Sequence, residues 1–196
     1  SDLPLNATLT GFGEIVSWAI NASLPSGVSF GTNNGTIYGT PTELWNRTSY
    51  MVWANNTGGS NVAYLNITVV DELPTLSYPL TALNLTNNTV SADLPLNASL
   101  TGSGEILSWA INASLPTGLT FETSNGTIWG TPTELWTTTA YTVWANNSGG
   151  SSAAYLNITV VDQLPVLSYS PTILNLTNNT VSSDLPLTPT LTGPGE

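Results

Sequence analysis

Apolar and polar residues alternate with period two in a series of short runs, each closed by Gly, Pro or Asn-Gly. This is the pattern of half-buried strands, not of helices. Leu5, Ala7 and Leu9 alternate with Asn6 and Thr8, and Val16, Trp18 and Ile20 share a face that Asn21 does not. Tyr50, Val52 and Ala54 point one way, Met51 and Trp53 the other; Leu65, Ile67 and Val69 lie opposite Tyr64, Asn66 and Thr68. Residues 82–86 give a further short strand. Between these runs, residues 28–30 and 36–38 flank Asn34-Gly35, with Leu24-Pro25 leading in and Gly39-Thr40-Pro41 leading out. Gly accepts positive φ and Pro presets its own, so this stretch predicts a hairpin followed by a corner.

The whole pattern returns. Residues 23–42 reappear as residues 114–133, and the same offset of 91 carries about 70 of the 91 positions of the first copy onto the second. Residues 1–11, 92–102 and 183–193 are three versions of one opening segment. A repeat of this length is the size of one β-sandwich domain and is too long for a solenoid unit. The expected fold is all-β: tandem immunoglobulin-like β-sandwiches with about seven strands per repeat, forming an end-to-end rod through short Pro-bearing joints. Domain edges fall at Asp71-Glu72-Leu73-Pro74 and Asp162-Gln163-Leu164-Pro165. They delimit a domain at 1–71 lacking its first strands, a complete domain at 72–162, and the first strands of a third at 163–196. The chain thus reads as a window cut from a longer tandem array. Trp18 and Trp109 are expected to plug the sandwich cores. Trp45 and Trp136 are expected to cap one end of the sandwich or the joint.

Composition removes most chemistry. Arg47 is the one basic residue, His and Cys are absent, and twelve carboxylates give a net charge of −11. Such a surface cannot collect nucleic-acid phosphates, and it disfavours anionic membranes. Disulfides, thiolate sites, catalytic triads and Schiff-base chemistry are excluded together. No apolar run has the length of a membrane-spanning helix, and no signal peptide is visible. The scattered carboxylates suggest no cleft for glycoside hydrolysis, so no enzyme is expected. Asp71, Glu72, Asp93 and Glu105 are the residues that could converge at the joints as calcium ligands; acidic residues at strand ends are more often simply solvated.

Leu24-Pro25, Gly27, Phe30, residues 35–37 (Gly-Thr-Ile) and residues 39–42 (Gly-Thr-Pro-Thr) form one extended motif. Leu115-Pro116, Gly118, Phe121, residues 126–128 and residues 130–133 repeat it, and Tyr50 with Val52 and Tyr141 with Val143 supply the strand that follows. The motif resembles the immunoglobulin-like repeats of large secreted and cell-surface proteins, the cadherin-like, dystroglycan-type group. The resemblance implies a tandem extracellular module used for adhesion or as a spacer. Relatives often carry an Asp-rich segment before the Trp strand. Here that place reads Gly-Phe-Gly-Glu at residues 11–14 and Gly-Ser-Gly-Glu at 102–105, which weakens the calcium reading.

The remaining chemistry is on asparagine. Asn-x-Ser/Thr acceptor sequences occur at Asn6, Asn21, Asn34, Asn46, Asn55, Asn66, Asn84, Asn87, Asn97, Asn112, Asn125, Asn146, Asn157, Asn175 and Asn178. Asn6, Asn21 and Asn66 fall on polar strand faces, and because Asn is depleted in strands, turn preference alone does not account for Asn6, Asn66 and Asn84. Charged residues make up only 7% of the chain, against about 25% for ordinary domains. Covalent N-glycans would supply the missing surface polarity and keep strand edges apart. Tyr38, Trp53, Trp129 and Trp144, opposite the inferred core and near sequons, are candidate platforms for sugar stacking or for contacts with a neighbouring domain. Thr137–Thr139 could carry O-linked sugars. The expected function is a structural extracellular glycoprotein, a filament or cell-surface stalk whose partners are glycans and further copies of the repeat, with no cofactor. The alternative is an adhesin module that binds carbohydrate or a partner. Strand addition between chains is a third idea; it would not need the overlap of the third repeat with the first at residues 182–196, which favours a cut through a longer tandem chain.

Overall fold

The computed structural model describes residues 3–11 and 13–192. Ser1 and Asp2 of the expected first domain, Phe12, and the last four residues of the expected third lie outside the described residues. No helix occurs among those described, and the chain divides into two compact units, Ser1–Glu72 and Leu73–Glu196.

The first unit holds β1 (Ser17–Ile20), β2 (Val28–Phe30), β3 (Ile37–Gly39), β4 (Trp45–Asn56) and β5 (Gly59–Val69). They form a three-stranded sheet in the order β1-β4-β5 and the hairpin β2-β3. The second unit contains the same elements as β9 (Ser108–Ile111), β10 (Leu119–Phe121), β11 (Ile128–Gly130), β12 (Trp136–Asn147) and β13 (Gly150–Val161). It adds β6 (Thr75–Ser77), β7 (Ala82–Thr86) and β8 (Ser99–Thr101), so its full repeat has eight strands. Here the main sheet has four strands, β7-β13-β12-β9, because β7 joins the edge of β13 in parallel register. Beyond it, β14 (Val166–Ser168) pairs with β15 (Thr190–Thr192) just as β6 pairs with β8.

The long hairpin β12–β13 is set by its turn. Asn147 pairs with Gly150, and the Asn147 Oδ1 accepts hydrogen bonds from the backbone N–H of Gly149 (2.9 Å) and Gly150 (3.1 Å). Alternation then sends Tyr141, Val143 and Ala145 of β12 and Leu156, Ile158 and Val160 of β13 inward, where all are buried. Leu83 and Leu85 from β7, Leu76, Leu96, Leu119 and Ile128 complete this core. The Tyr141 ring is fully enclosed, and its hydroxyl is satisfied by donating to the Ser114 carbonyl at 3.1 Å; Tyr50 does the same to Ser23. Tyr78 follows β6 and donates its hydroxyl to the Gly126 carbonyl; burial pushes its pKa up to about 12.

The expected hairpin and corner form in both units and interlock. Thr131 N–H donates to Gly118 O (3.0 Å) and Thr133 N–H to Thr117 O (2.8 Å), folding Gly-Thr-Pro-Thr back on Leu-Pro-x-Gly. The approach is so close that a Cβ on Gly118 would stand 2.0 Å from the Thr131 carbonyl oxygen. Glu134, just past the motif, clamps it: its Oε1 accepts from the Thr117 N–H at 2.6 Å and the Thr117 hydroxyl at 2.7 Å. Glu43 accepts from the Ser26 N–H at 2.7 Å in the first unit. These backbone hydrogen bonds hold both carboxyls below their ordinary value of 4.5. A depressed folded-state pKa gives stability that is present above the unfolded value and is lost as pH falls through the folded one. Acid unfolding of the wild type is therefore expected to include a stability loss beginning as pH drops below the ordinary carboxylate range. That component should be reduced in Glu134→Gln, as thermal melts at pH 7 and pH 3 would register; an unchanged pH dependence would show that the clamp contributes nothing.

Three expectations need correction. The run at Leu5–Leu9 is not a strand: only Leu5 bridges to Ile37, and Leu5 and Leu9 are exposed, because no β6 equivalent pairs with it among the described residues of this unit. Val16 does not share the buried face of Trp18 and Ile20. It is 71% exposed beside exposed Ser17, and the inward place passes to Ile15, since alternation is broken one residue ahead of β1. Trp18 and Trp109 do not plug the core centre, which Tyr50 and Tyr141 occupy. They are half-buried at its margin, and Trp109 lies against Gly126 of the Asn-Gly turn.

Candidate functional site

The sequon asparagines are all exposed except Asn55, Asn87 and Asn146, which are half-buried. Exposure follows from the strand periodicity: Asn157 on β13 and Asn84 on β7 stand between inward residues, so their side chains take the outer sheet face. In several of them the carbonyl half of the amide is committed to local structure. Asn112 Oδ1 accepts from Thr142 N–H (2.9 Å), Asn125 Oδ1 from Thr127 N–H (3.0 Å) and Asn97 Oδ1 from the Thr127 hydroxyl (3.2 Å). Asn21, Asn34 and Asn6 make the matching bonds in the first unit. These bonds engage Oδ1 and not Nδ2, the atom that forms an N-glycosidic bond. Asn146 and Asn55 are the opposite case. Their Nδ2 atoms donate to the hydroxyls of Ser108 (3.1 Å) and Ser17 (3.0 Å), and their Oδ1 atoms accept from Ser151 and Ser60.

Two sequons and one aromatic converge in the second unit. The Leu96–Ile128 bridge brings Asn97 beside Thr127, and Thr127 is tied to Asn125, so a single threonine holds both asparagines. Next to them Trp129 on β11, opposite Thr120, is 47% exposed. Together with Val90, Ser91, Leu94 and Glu122 these residues line an open depression of about 550 Å³. Its wall is apolar and aromatic, and its rim carries amides, hydroxyls and one carboxylate. Tyr38 is the exposed counterpart in the first unit. Trp53 and Trp144 do lie opposite the core, but they are half-buried in the sheet surface.

The outer face of the second unit's main sheet exposes Tyr155, at 70%, and that of the first unit's three-stranded sheet exposes Tyr64, at 73%. Alternation marks both as facing away from the core, and their exposure makes them more open platforms than Trp53 and Trp144. Trp136 packs against the core margin beside the bulge that separates it from Thr139 in β12. Among the described residues, no group of three or more His, Cys, Asp or Glu gathers as a metal ion would need, and Asp71, Glu72, Asp93 and Glu105 belong to no such group.

The model of the family described as "Putative Ig domain" (He_PIG) matches residues 2–70 and 73–161. The chain belongs to this immunoglobulin-like family. Among curated proteins it is similar to the "Serine-rich adhesin for platelets" of Staphylococcus aureus strains MRSA252 and USA300. In each the identity is 30% over 149 residues, which is 76% of this chain. The chain spans only 11% and 6% of the length of those two relatives. Among solved structures, human Protocadherin-24 EC1-2 is 13% identical with a TM-score of 0.39, covering 82% of this chain and 92% of that one. A Dscam structure is 13% identical with a TM-score of 0.36, covering 71% and 34%. The two Ig-domain repeats are of the extracellular or cell-surface kind.

Proposed function

We propose that these Ig-domain repeats are structural, non-enzymatic units of a secreted filament or surface stalk, and that their outer faces are coated with N-glycans. The observation that carries the reading is the state of the acceptor amides. Asn97, Asn112 and Asn125 are exposed, and their local hydrogen bonds are made through Oδ1 rather than Nδ2. A glycan on such a nitrogen disrupts no core contact. The coat would supply the hydration that a chain with 7% charged residues otherwise lacks. It would also shield exposed aromatics such as Tyr155. In the Trp129 depression, a sugar on Asn97 or Asn125 could lay its apolar face on the indole, an amphipathic contact of the kind aromatic side chains favour.

Glycopeptide mass spectrometry on the protein from its native source tests this. Occupancy is expected to be high at Asn97, Asn112, Asn125 and Asn157. It is expected to be lowest at Asn55 and Asn146, whose Nδ2 atoms are held by serine hydroxyls. Uniformly bare asparagines would overturn the coat.

The same depression favours a second reading, in which the module binds carbohydrate from a partner surface. Its Trp129 wall and its Glu122 and Thr127 rim have the composition of a small ligand site. Unglycosylated protein separates the two: retention on immobilised glycans that is lost in Trp129→Ala would support the adhesin reading, and no retention would leave the coat.

A further inference from the structure

Four of the acceptor asparagines follow an aromatic residue by two positions: Asn55 after Trp53, Asn66 after Tyr64, Asn146 after Trp144 and Asn157 after Tyr155. All four pairs lie in long strands, β4, β5, β12 and β13. A strand returns to the same face every second residue, so each aromatic side chain stands beside its asparagine, about 6.4–6.8 Å along the strand. One pyranose ring attached to Nδ2 spans that spacing.

The surroundings divide the four pairs into two kinds. On β12, Asn146 faces Ser108 on one side and Ser151 on the other, and both serines bond to it: Nδ2 donates to the Ser108 hydroxyl at 3.1 Å, and Oδ1 accepts from Ser151. Its aromatic neighbour, Trp144, is half-buried. Asn55 on β4 repeats the arrangement with Ser17, Ser60 and half-buried Trp53.

On β13 the neighbours are of another type. Asn157 faces Ala140 on β12 and Ala82 on β7, side chains that hold no hydrogen-bonding group. Both alanines are exposed, so the sheet surface is low on either side of Asn157, while the Tyr155 ring stands above it at 70% exposure. In the other direction along the strand, Thr159 shares a hydrogen bond of 2.8 Å with the Thr138 hydroxyl and faces Asn84, itself an acceptor. A group on Nδ2 of Asn157 therefore meets open surface toward Tyr155 and occupied surface toward Thr159. On β5, Asn66 has the same aromatic neighbour, Tyr64 at 73% exposure, and its bond to the Ser49 hydroxyl is made through Oδ1.

We propose that Tyr155 is the seat of the first sugar on Asn157, and Tyr64 that of the first sugar on Asn66. The sugar class is a β-linked hexopyranose or N-acetylhexosamine, whose ring C–H groups line one apolar face. That face lies on the phenol ring while the sugar hydroxyls stay in water, an amphipathic contact of the kind Tyr makes. The contact rests on the glycan coat and adds to it which sugars are held against the sheet. Attachment is a glycosyl transfer: the Nδ2 lone pair forms the bond to C1 of an activated sugar phosphate, the C1–O bond breaks with its electrons leaving on the phosphate, and one amide proton is released. The same spacing at Asn146 and Asn55 gives no such seat, because the amide is tied to serines and the indole is half sunk in the sheet. Stacking exists only in the folded strand, since the unfolded chain does not hold residues 155 and 157 in one row. It therefore stabilises the second unit as well as covering an exposed ring.

A double-mutant cycle on the full 196-residue chain from its native host tests this, with Asn157 occupancy measured by glycopeptide mass spectrometry in each variant. The variants are Tyr155→Thr, Asn157→Gln and the two together; position 155 lies on the outer face, so the core is untouched. With Asn157 occupied, Tyr155→Thr is expected to lower the melting temperature of the second unit by about 2–8 °C. In the Asn157→Gln background the loss is expected to be clearly smaller, the difference being the coupling between ring and sugar. Tyr155→Phe, which keeps the ring and removes the hydroxyl, is expected to melt as the wild type does. Occupied Asn157 with equal losses in the two backgrounds, or a Tyr155→Phe loss as large as that of Tyr155→Thr, would overturn the stacking and leave the coat standing. Bare Asn157 in the wild type would overturn both at this position, so the two failures are told apart by the occupancy measurement alone.

Discussion

Leu83→Ala and Leu85→Ala are each expected to destabilise the second unit by about 2–5 kcal/mol, the range for emptying a closed leucine site. Both side chains are 1% exposed, and the facing Ile158 and Val160 belong to a strand paired on its other side to β12, so the cavity cannot easily collapse. A domain of this size is stable by only about 5–15 kcal/mol. The double variant should therefore bring the second unit to the edge of unfolding while the first unit melts as before. Chemical denaturation with two resolved transitions measures this. Losses below about 1 kcal/mol per site would mean that β7 is a loosely held edge strand.

The second large effect is expected at Gly126. Its φ is +74°, and a Cβ built there would lie 2.3 Å from Cζ3 of Trp109. Gly126→Ala would carry about 1–2 kcal/mol for a side chain in the left-handed region, and about 1–3 kcal/mol more for forcing the indole off its seat. Gly102→Ala is the control. Its φ is +113°, but the nearest atoms to the added Cβ are at 3.4 Å, so only a backbone cost is expected. Urea unfolding should rank Gly126→Ala well below Gly102→Ala, with a changed near-ultraviolet circular dichroism signal only for the former. Equal losses would show that the Trp109 contact is soft. The acceptor sequence survives as Asn125-Ala-Thr127, so occupancy at Asn125 in the variant reports whether the turn geometry matters for modification.

Both predictions concern the difference between local pattern and long-range pairing. The faces of β4, β5, β12 and β13 were legible because alternation is a local property: a residue two positions along a strand returns to the same side. The same logic put Asn21 and Asn66 outward, and with them their copies Asn112 and Asn157. The hairpin and corner were legible because Asn-Gly and Gly-Thr-Pro restrict φ wherever they occur. Val16 was misplaced because the break in alternation ahead of β1 leaves no mark in a run that still alternates. Trp18 and Trp109 were misplaced because the indole packs on a glycine far along the chain, and nothing in a five-residue window shows that contact. The hydrogen bonds that occupy Nδ2 of Asn55 and Asn146 were hidden for the same reason: Ser17 and Ser108 become neighbours only when β1 joins β4 and β9 joins β12.

The sequence by itself determined the repeat, most of the strands, the turn that closes each hairpin, the scarcity of basic residues and absence of thiols, and the outward placement of most acceptor asparagines. Each of these rests on backbone preference, periodicity or composition, which act over a few residues or over the chain as a whole. The tertiary structure decided which Leu-x-Leu segment becomes a strand. Residues 82–86 and 173–177 are nearly the same peptide, yet one is buried as β7 and the other is not a strand. A lone segment of five residues cannot offset its own ordering entropy. It becomes a strand only where β13 supplies both a row of backbone partners and a pocket for two leucines.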